Sequence, residues 1–190
     1  MESGVTGSPQ RRLPTPQVEQ GLKHYLNALS CLEGHGIEYN IHNVFEWLQN
    51  AMKAGEVRAM TKLAWLHERG QGVRVNKRKA LELYTEAAMR GEPEAQYRLA
   101  MYHLKGSEEL ENPDPQLARE LLEKSVAGGC PEGMREIGQM YERGGLFNGK
   151  KAFIQCCEPD LNKAYDHYKQ AAFYGDNLGK NFLGSYYFKY

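Results

Sequence analysis

The sequence predicts an all-α fold built from repeated pairs of helices, and three observations support this prediction. Glycines recur at Gly55, Gly91, Gly129 and Gly175, at intervals of 36, 38 and 46 residues. The same residue types stand at matched distances from each glycine, with spacings that fall on one face of a helix. Each interval accommodates two helices, here called A and B, which bury their apolar faces only against neighbouring repeats.

The matched positions form columns of small, bulky and ring-bearing residues. In helix A, the position four residues after the glycine carries a small residue, the position eight after it a bulky apolar residue, the position nine after it a second small residue and the position twelve after it a ring. In chain order, the four copies of this pattern are Ala59, Leu63, Ala64 and His67; Ala95, Leu99, Ala100 and His103; Gly133, Ile137, Gly138 and Tyr141; and Gly179, Leu183, Gly184 and Tyr187. In helix B, the columns eleven and seven residues before the glycine are Val44, Ala80, Ala118 and Ala164, and Leu48, Tyr84, Leu122 and Tyr168. We expect the small residues to let helix backbones approach closely.

The N-terminal part is the least regular. Residues 1–17 contain Gly, Ser and three prolines and are predicted to be a disordered tail. Apolar periodicity predicts helix A of a degenerate repeat over 18–32 and its helix B over 41–54. The repeat domain is therefore expected to span 18–190.

The remaining chain divides into full repeats and a half repeat. Beyond the degenerate repeat 18–55, full repeats are predicted at 56–91, 92–129 and 130–175, and a lone helix A at 176–190. The layout amounts to about nine helices and no sheet. Three local signals mark the helix boundaries. They are the predicted N-caps of the B helices, the prolines that open A helices, and the glycines that end B helices in a left-handed conformation. The N-caps are Asn76, Asp114 and either Asp160 or Asn162, and the prolines are Pro93 and Pro131.

These segments resemble the Sel1-like repeat family, a relative of the tetratricopeptide repeats. Residues 63–73 follow the family pattern Leu-Gly-x-x-Tyr-x-x-Gly-x-Gly-Val, and 79–88 follow its Lys-Ala helix ending in Ala-Ala. Residues 137–144 and 163–175 form a second good copy, whereas the copy at 92–129 has lost the Gly-x-Gly-Val loop. The resemblance implies a right-handed α-α superhelical solenoid that holds a peptide or protein as a scaffold or adaptor.

Composition excludes several functions. The chain has 24 basic and 24 acidic residues, so it lacks the positive excess that binds nucleic acid or an anionic membrane. It has no apolar run long enough to span a membrane, and its N-terminus lacks the apolar segment of a secretory signal. The four cysteines show no regular spacing. We therefore expect free thiols in a reducing compartment, the cytoplasm.

No residues form a catalytic or metal-binding pattern. The adjacent Cys156 and Cys157 have no second ligand pair at metal-binding spacing. His67 and His103 share a column with Tyr141 and Tyr187, which indicates packing rings. We therefore predict a non-catalytic protein without a cofactor.

The resemblance also implies a binding surface, because related repeats bind peptides on the concave side lined by their A helices. By position, the expected partner contacts are Arg58, Thr61, Trp65, Arg69, Tyr97, Met101, Lys105, Arg135, Gln139 and Arg143. Arg69, Lys105, Arg143 and Lys189 share one column, and such a ladder of cations suits an acidic peptide or a terminal carboxylate. Cations also stabilise the C-terminal end of a helix without any ligand, so both interpretations stay open.

An insertion at 145–159 lengthens the loop of the third full repeat. It carries Phe147, Phe153 and Ile154 and is more apolar than a solvated loop. One interpretation is a loop folded onto its own repeat, and the other is a binding loop.

The last helix carries a second stripe of rings at Phe182, Tyr186 and Tyr190. Three interpretations remain: the stripe contacts a partner or a second copy of the chain, the chain continues beyond Tyr190, or the rings pack into the groove. The leading function is a protein-interaction scaffold. The alternative is a regulatory or substrate-docking region of a larger enzyme or complex with catalysis elsewhere.

Overall fold

The structure is a computed structural model that describes residues 15–34, 40–106, 108–110, 114–147 and 153–189. These residues form nine helices and one two-stranded hairpin. In chain order the elements are α1 Pro16–Glu33, α2 Ile41–Lys53, α3 Val57–Arg69, α4 Lys77–Met89, α5 Pro93–Lys105, α6 Pro115–Ala127, α7 Pro131–Arg143, β1 Gly145–Phe147, β2 Phe153–Gln155, α8 Leu161–Phe173 and α9 Asn177–Lys189. The predicted all-α fold of helix hairpins is confirmed.

The chain divides into two compact units, Met1–Glu56 and Val57–Tyr190. In the first unit, α1 packs against α2. In the second, α3 packs with α4, α5 with α6 and α7 with α8, so each full repeat is one antiparallel hairpin. Within the second unit, α4 also contacts α5, α6 contacts α7 and α8 contacts α9, which joins these repeats into an array.

The helix boundaries follow the predicted local signals. Side-chain oxygens of Asn76, Asp114 and Asp160 accept backbone N–H groups of α4, α6 and α8. Pro93 and Pro131 are the first residues of α5 and α7. The glycines that end the four B helices have φ between 85° and 96°, the left-handed region that suits glycine. These features show that the predicted local signals mark the ends of the helices.

The N-terminal boundary differs slightly from the prediction. Helix α1 begins at Pro16, so the predicted tail of residues 1–17 extends two residues too far. Proline at the first helical position explains the shift, because its fixed φ suits a helix start. The tail itself lies mostly outside the described residues.

The small and bulky columns form the core of each hairpin. Ala59, Ala64, Ala95 and Ala100 are fully buried, and Tyr84 and Tyr168 are exposed by no more than 1%. Gly138 shows why one position must stay small, because a Cβ there would lie 2.7 Å from Cε1 of Tyr168. The helix backbones therefore approach as the column pattern predicted.

Two of the three full repeats tie helix A to helix B with the same polar pair. Tyr84 donates its hydroxyl to Glu68 at 3.1 Å, and Tyr168 donates to Glu142 at 2.8 Å. In the middle repeat the same columns hold Leu104 and Leu122, and both side chains are buried. The same two positions between helix A and helix B are therefore filled either by a carboxylate that accepts a phenol hydroxyl or by two leucines.

The insertion forms a hairpin, so the expectation of no sheet is wrong. β1 pairs antiparallel with β2, with Leu146 opposite Ile154. Leu146 is buried, and β1 lies against α7 and α5. Strand β1 therefore packs on these helices through Leu146, while the side chains of Phe147, Phe153 and Ile154 lie outside the described residues and both interpretations of the insertion stay open.

The crowding at Gly138 gives a stability prediction. We expect Gly138→Ala to lower the free energy of unfolding, because overpacking costs about 1–3 kcal/mol and outweighs a helix-propensity gain of at most about 1 kcal/mol. The Tyr168 ring cannot move away easily, since it is buried and stacks on Phe182 with ring centroids 5.1 Å apart. Urea unfolding followed by circular dichroism measures the change.

Gly184 provides the matched control, because it occupies the same column of α9 and a Cβ there has no atom within 4 Å among the described residues. We expect Gly184→Ala to be neutral or to stabilise by up to about 1 kcal/mol. Equal stabilisation by both substitutions would contradict the packing account.

Candidate functional site

Two adjoining cavities open on the A-helix side of the second unit. The first has a volume of about 190 Å³ and lies between α3 and α5, where Glu68, Tyr97, Arg98 and Tyr102 line it together with Lys77 from the start of α4. The second has a volume of about 270 Å³ and lies between α5, α7 and β1. Its lining includes Glu136, Gln139, Arg143 and Leu146.

One ridge separates the cavities. Tyr97, Met101 and Lys105, at successive turns of α5, line both of them. We call the two cavities and this ridge the A-side groove. The ridge offers an aromatic ring, a flexible thioether and an ammonium group, a combination that suits both apolar and acidic side chains.

The A-side groove carries an excess of positive charge. Four cations line it, and they are Lys77, Arg98, Lys105 and Arg143. Its two carboxylates already have partners within the fold. Glu68 accepts the hydroxyls of Tyr84 and Tyr102, and Glu136 accepts Nη1 of Arg135 at 2.8 Å. The lining of the groove therefore holds more cations than carboxylates.

Arg98 is the most enclosed of these cations. Its guanidinium lies over the Tyr97 ring, 5.7 Å from the centroid, and only 28% of the side chain is exposed. Burial lowers the pKa of this guanidinium, but Tyr84, Glu94 and Tyr97 raise it above its ordinary value. The group is therefore charged at all physiological pH values.

The tyrosines around Glu68 stay protonated. Burial, followed by the charge of Glu68, raises the pKa of both Tyr84 and Tyr102 well above the ordinary value. Both phenols therefore act as donors, and the Glu68 carboxylate acts as their shared acceptor. This cluster also joins α3 to α5, because Tyr102 belongs to the next repeat.

The groove contains five residues that the sequence pattern placed on a partner surface: Tyr97, Met101, Lys105, Gln139 and Arg143. Lys105 and Arg143, from the predicted ladder, line the same cavity. Arg143 also donates to Gln139 at 3.3 Å. The structure thus brings two ladder cations together, while their role in binding stays a prediction.

Thr61 and Arg135 require a correction. Thr61 is 1% exposed and donates its hydroxyl to Glu92 at 2.8 Å, at the start of the next A helix. Arg135 is 8% exposed and donates Nε to Asp176 at 2.9 Å. Both side chains bond to residues of the following repeat, so they hold repeats together and are not open to a partner.

The α3 positions lie elsewhere on this unit. Arg58 and Arg69 are exposed, and Trp65 is half-buried. None of the three lines the two cavities of the A-side groove. Their assignment to a binding surface stays a prediction.

The remaining predicted contacts lie on the insertion and on α9. Phe147 and Phe153 pair across the hairpin, but their side chains lie outside the described part of the chain. The ring of Phe182 is stacked on Tyr168 and half-buried, and its contact with a partner stays a prediction. The side chain of Tyr186 and all of Tyr190 lie outside the described residues, and self-association there stays a prediction.

Sequence reasoning missed Arg98, Lys77 and Leu146 in the groove. Arg98 follows the predicted Tyr97 and precedes the buried Leu99, in a column outside the positions that the family resemblance emphasises. The position of this cation, directly before a core residue, was the signal in the sequence that could have placed Arg98 near the groove. Leu146 belongs to the insertion, whose path no repeat pattern specifies.

The opposite side of this unit has a different character. Cavities of about 610 Å³ and 470 Å³ lie between α4 and α6 and between α6 and α8. Their linings are mainly apolar, with Lys124 in the first and Lys169 in the second. Few polar groups converge there, whereas several converge in the A-side groove.

The histidines behave as packing rings. His103 is buried, and its Nδ1 accepts the backbone N–H of Asp114 at 3.1 Å. Burial lowers the pKa of His67 and of His103. The neutral imidazole of His103 therefore fixes the start of α6.

Metal-binding clusters and membrane-spanning helices are both absent from the described residues. No group of three or more His, Cys, Asp or Glu side chains is arranged to hold a metal ion in that part of the chain. No helix among the described residues has the length and apolarity needed to cross a membrane.

Comparison with protein families gives matches to the Sel1 repeat at residues 21–56, 57–92, 93–130 and 131–172. No curated protein matches the sequence. Similar solved structures include a Sel1 repeat protein from Oxalobacter formigenes, with a TM-score of 0.67, 22% identity and coverage of 80% of this chain and 56% of that one.

Two others have the same identity of 22%. The protective antigen c5321 of uropathogenic Escherichia coli has a TM-score of 0.64, with coverage of 89% of this chain and 34% of that one. The immunity protein Pa5087 of Pseudomonas aeruginosa has a TM-score of 0.62, with coverage of 97% and 64%. The chain thus spans between about a third and two thirds of these proteins, which share its fold.

Arg135 is buried and Arg143 is exposed on the same helix, and this difference gives a stability prediction. We expect Arg135→Gln to lower the free energy of unfolding by about 3 kcal/mol, because it leaves the Asp176 carboxylate, only 11% exposed, without its cation. Arg143→Gln, at an exposed position of the same helix, is expected to change it by less than about 0.5 kcal/mol. Urea unfolding at pH 7 measures both, and equal effects would contradict the assignment of Arg135 to the link between repeats.

Proposed function

The chain belongs to the Sel1 repeat family, and from this premise we propose that it is a non-catalytic scaffold that binds an acidic segment of a partner protein in its A-side groove. Proteins of this family generally mediate protein interactions. The observation that carries the finer proposal is the set of four cations lining the groove, against two carboxylates that the fold already uses.

An extended peptide suits the shape of the groove. Its two cavities lie side by side, one between each neighbouring pair of A helices, and helix axes in contact are about 8–10 Å apart. In a peptide with the extended polyproline II backbone, which rises about 3.1 Å per residue with three residues per turn, side chains three positions apart lie on the same side and about 9 Å apart. Side chains three positions apart in a peptide can therefore enter the two cavities from opposite sides of the Met101 ridge.

The chemistry of the ridge supports a mixed recognition motif. Met101 and Tyr97 provide apolar contact area, and Lys105 projects between the two cavities. Charge attraction raises association rates and selects acidic partners, while the apolar contacts supply much of the affinity. A segment that combines acidic residues with an apolar anchor fits best.

The proposal includes the compartment. The four cysteines are free thiols in the structure. Burial raises the pKa of the Cys130 thiol to about 12, which keeps it protonated and unreactive. Unpaired cysteines suit a reducing environment, so we place this scaffold in the cytoplasm.

Peptide selection on the purified chain tests the function directly. We expect a displayed random library to yield peptides rich in Asp and Glu, and their affinity, measured by calorimetry, to fall as salt rises. The double variant Lys105→Glu with Arg143→Glu is expected to weaken binding by at least about tenfold, because it reverses two charges that line one cavity.

The matched control reverses two charges on the opposite side of the same unit, as Lys124→Glu with Lys169→Glu. Both lysines line the apolar cavities between B helices. We expect affinity to stay within about twofold of the parent chain, apart from the small effect of net charge. Equal losses in the two double variants would show that binding follows net charge, and the groove would be rejected.

A further inference from the structure

The cavity between α3 and α5 contains a guanidinium group that the fold leaves incompletely bonded. Arg98 Nε is buried and has no hydrogen-bond partner among the described residues. Its Nη2 lies 3.7 Å from Oε1 of Glu94, which is an ion pair but too long for a hydrogen bond. Buried donors without acceptors are uncommon in proteins and unfavourable, so this group calls for an explanation.

Both neighbouring carboxylates are committed to other donors. Glu94 accepts the ammonium of Lys62 at 2.7 Å. Glu68 accepts the hydroxyl of Tyr84 on one oxygen and that of Tyr102 on the other. Each carboxylate therefore has a better-placed partner than Arg98, and the donors of the guanidinium remain for a group that enters the cavity.

The cavity surrounds Arg98 with further positive charge. Lys77 and Lys105 line it from α4 and from α5, and Glu68 is its one carboxylate among the described residues. Its volume of about 190 Å³ is enough for a single oxyanion group on a short side chain. The Tyr97 ring beneath the guanidinium restricts the orientation of its plane.

We propose that this cavity is an oxyanion site, in which Arg98, assisted by Lys77 and Lys105, binds a carboxylate or phosphoryl group. A guanidinium offers parallel N–H donors that match two oxygens of such a group at once. In the scaffold the oxyanion is carried by a side chain of the bound peptide, so the biological role rests on the proposed function. The site itself recognises the anionic group alone.

Nuclear magnetic resonance of the arginine Nε–H groups tests the site with small probes. Inorganic phosphate and acetate are titrated separately into the ¹⁵N-labelled chain, with sodium chloride at equal ionic strength as the reference. We expect the Arg98 Nε–H resonance to shift in a saturable manner with at least one probe and not with chloride. Saturation by phosphate alone identifies a phosphoryl group, and saturation by acetate identifies a carboxylate.

Variants separate the site from general charge effects. We expect Arg98→Lys to weaken the saturable binding by at least about tenfold, because it keeps the charge but loses the paired donors. Lys77→Gln, at an exposed position, removes one cation without touching the core and is expected to weaken binding by a few-fold. Arg90→Gln, whose parent side chain is paired with Glu86 outside the groove, is the control and should bind as the parent does.

Linear shifts that match those of chloride for both probes would overturn the inference, as would unchanged binding in Arg98→Lys and Lys77→Gln. The outcome is distinguishable from failure of the proposed function. Acidic peptides that depend on Lys105 and Arg143 but bind Arg98→Lys as tightly as the parent would reject this site and leave the scaffold function. Saturable anion binding at Arg98 with no selectable peptide would support the site and reject the scaffold function.

Discussion

The close approach of helix A to helix B within each repeat is the constraint on which the rest of this structure depends. A small residue on helix A faces a bulky one on helix B, as Gly138 faces Tyr168. Because the same small and bulky columns recur in each repeat of the sequence, we expect each hairpin to present its A helix in a similar way. The cavities of the A-side groove exist because neighbouring A helices, α3 with α5 and α5 with α7, are placed beside one another by these hairpins.

Internal use of carboxylates explains how a chain with no net charge presents a positive groove. Glu68 and Glu142 accept tyrosine hydroxyls inside their hairpins, and Asp176 accepts a buried arginine. Acidic side chains are thus drawn into the links within and between repeats. Lys105 and Arg143, at the ends of A helices, stay exposed beside the groove. Overall composition was a poor guide to this local field.

The fold was predictable from the sequence because it depends on a periodic pattern, whereas the site depends on side-chain directions. The columns of glycine, alanine and bulky residues specified the hairpins, and Asn76, Pro93 and Pro131 specified helix ends. The hairpin of β1 and β2 was not predictable, since the insertion lies outside the repeat. Thr61 and Arg135 were misassigned because their column points toward the start of the next A helix. Arg98 was missed for a different reason, since its column lies outside the positions that the family resemblance assigned to the partner surface.

Methyl resonances of the methionines test the central claim most directly. Met101 lies on the ridge of the A-side groove, and Met89, with 83% of its surface exposed, lies on the B-helix side of the same unit. When an acidic peptide selected on the chain is added to methyl-labelled protein, the account predicts a large shift of the Met101 methyl and no change at Met89. A shift at Met89 with an unchanged Met101 would place the partner on the opposite face and contradict the account.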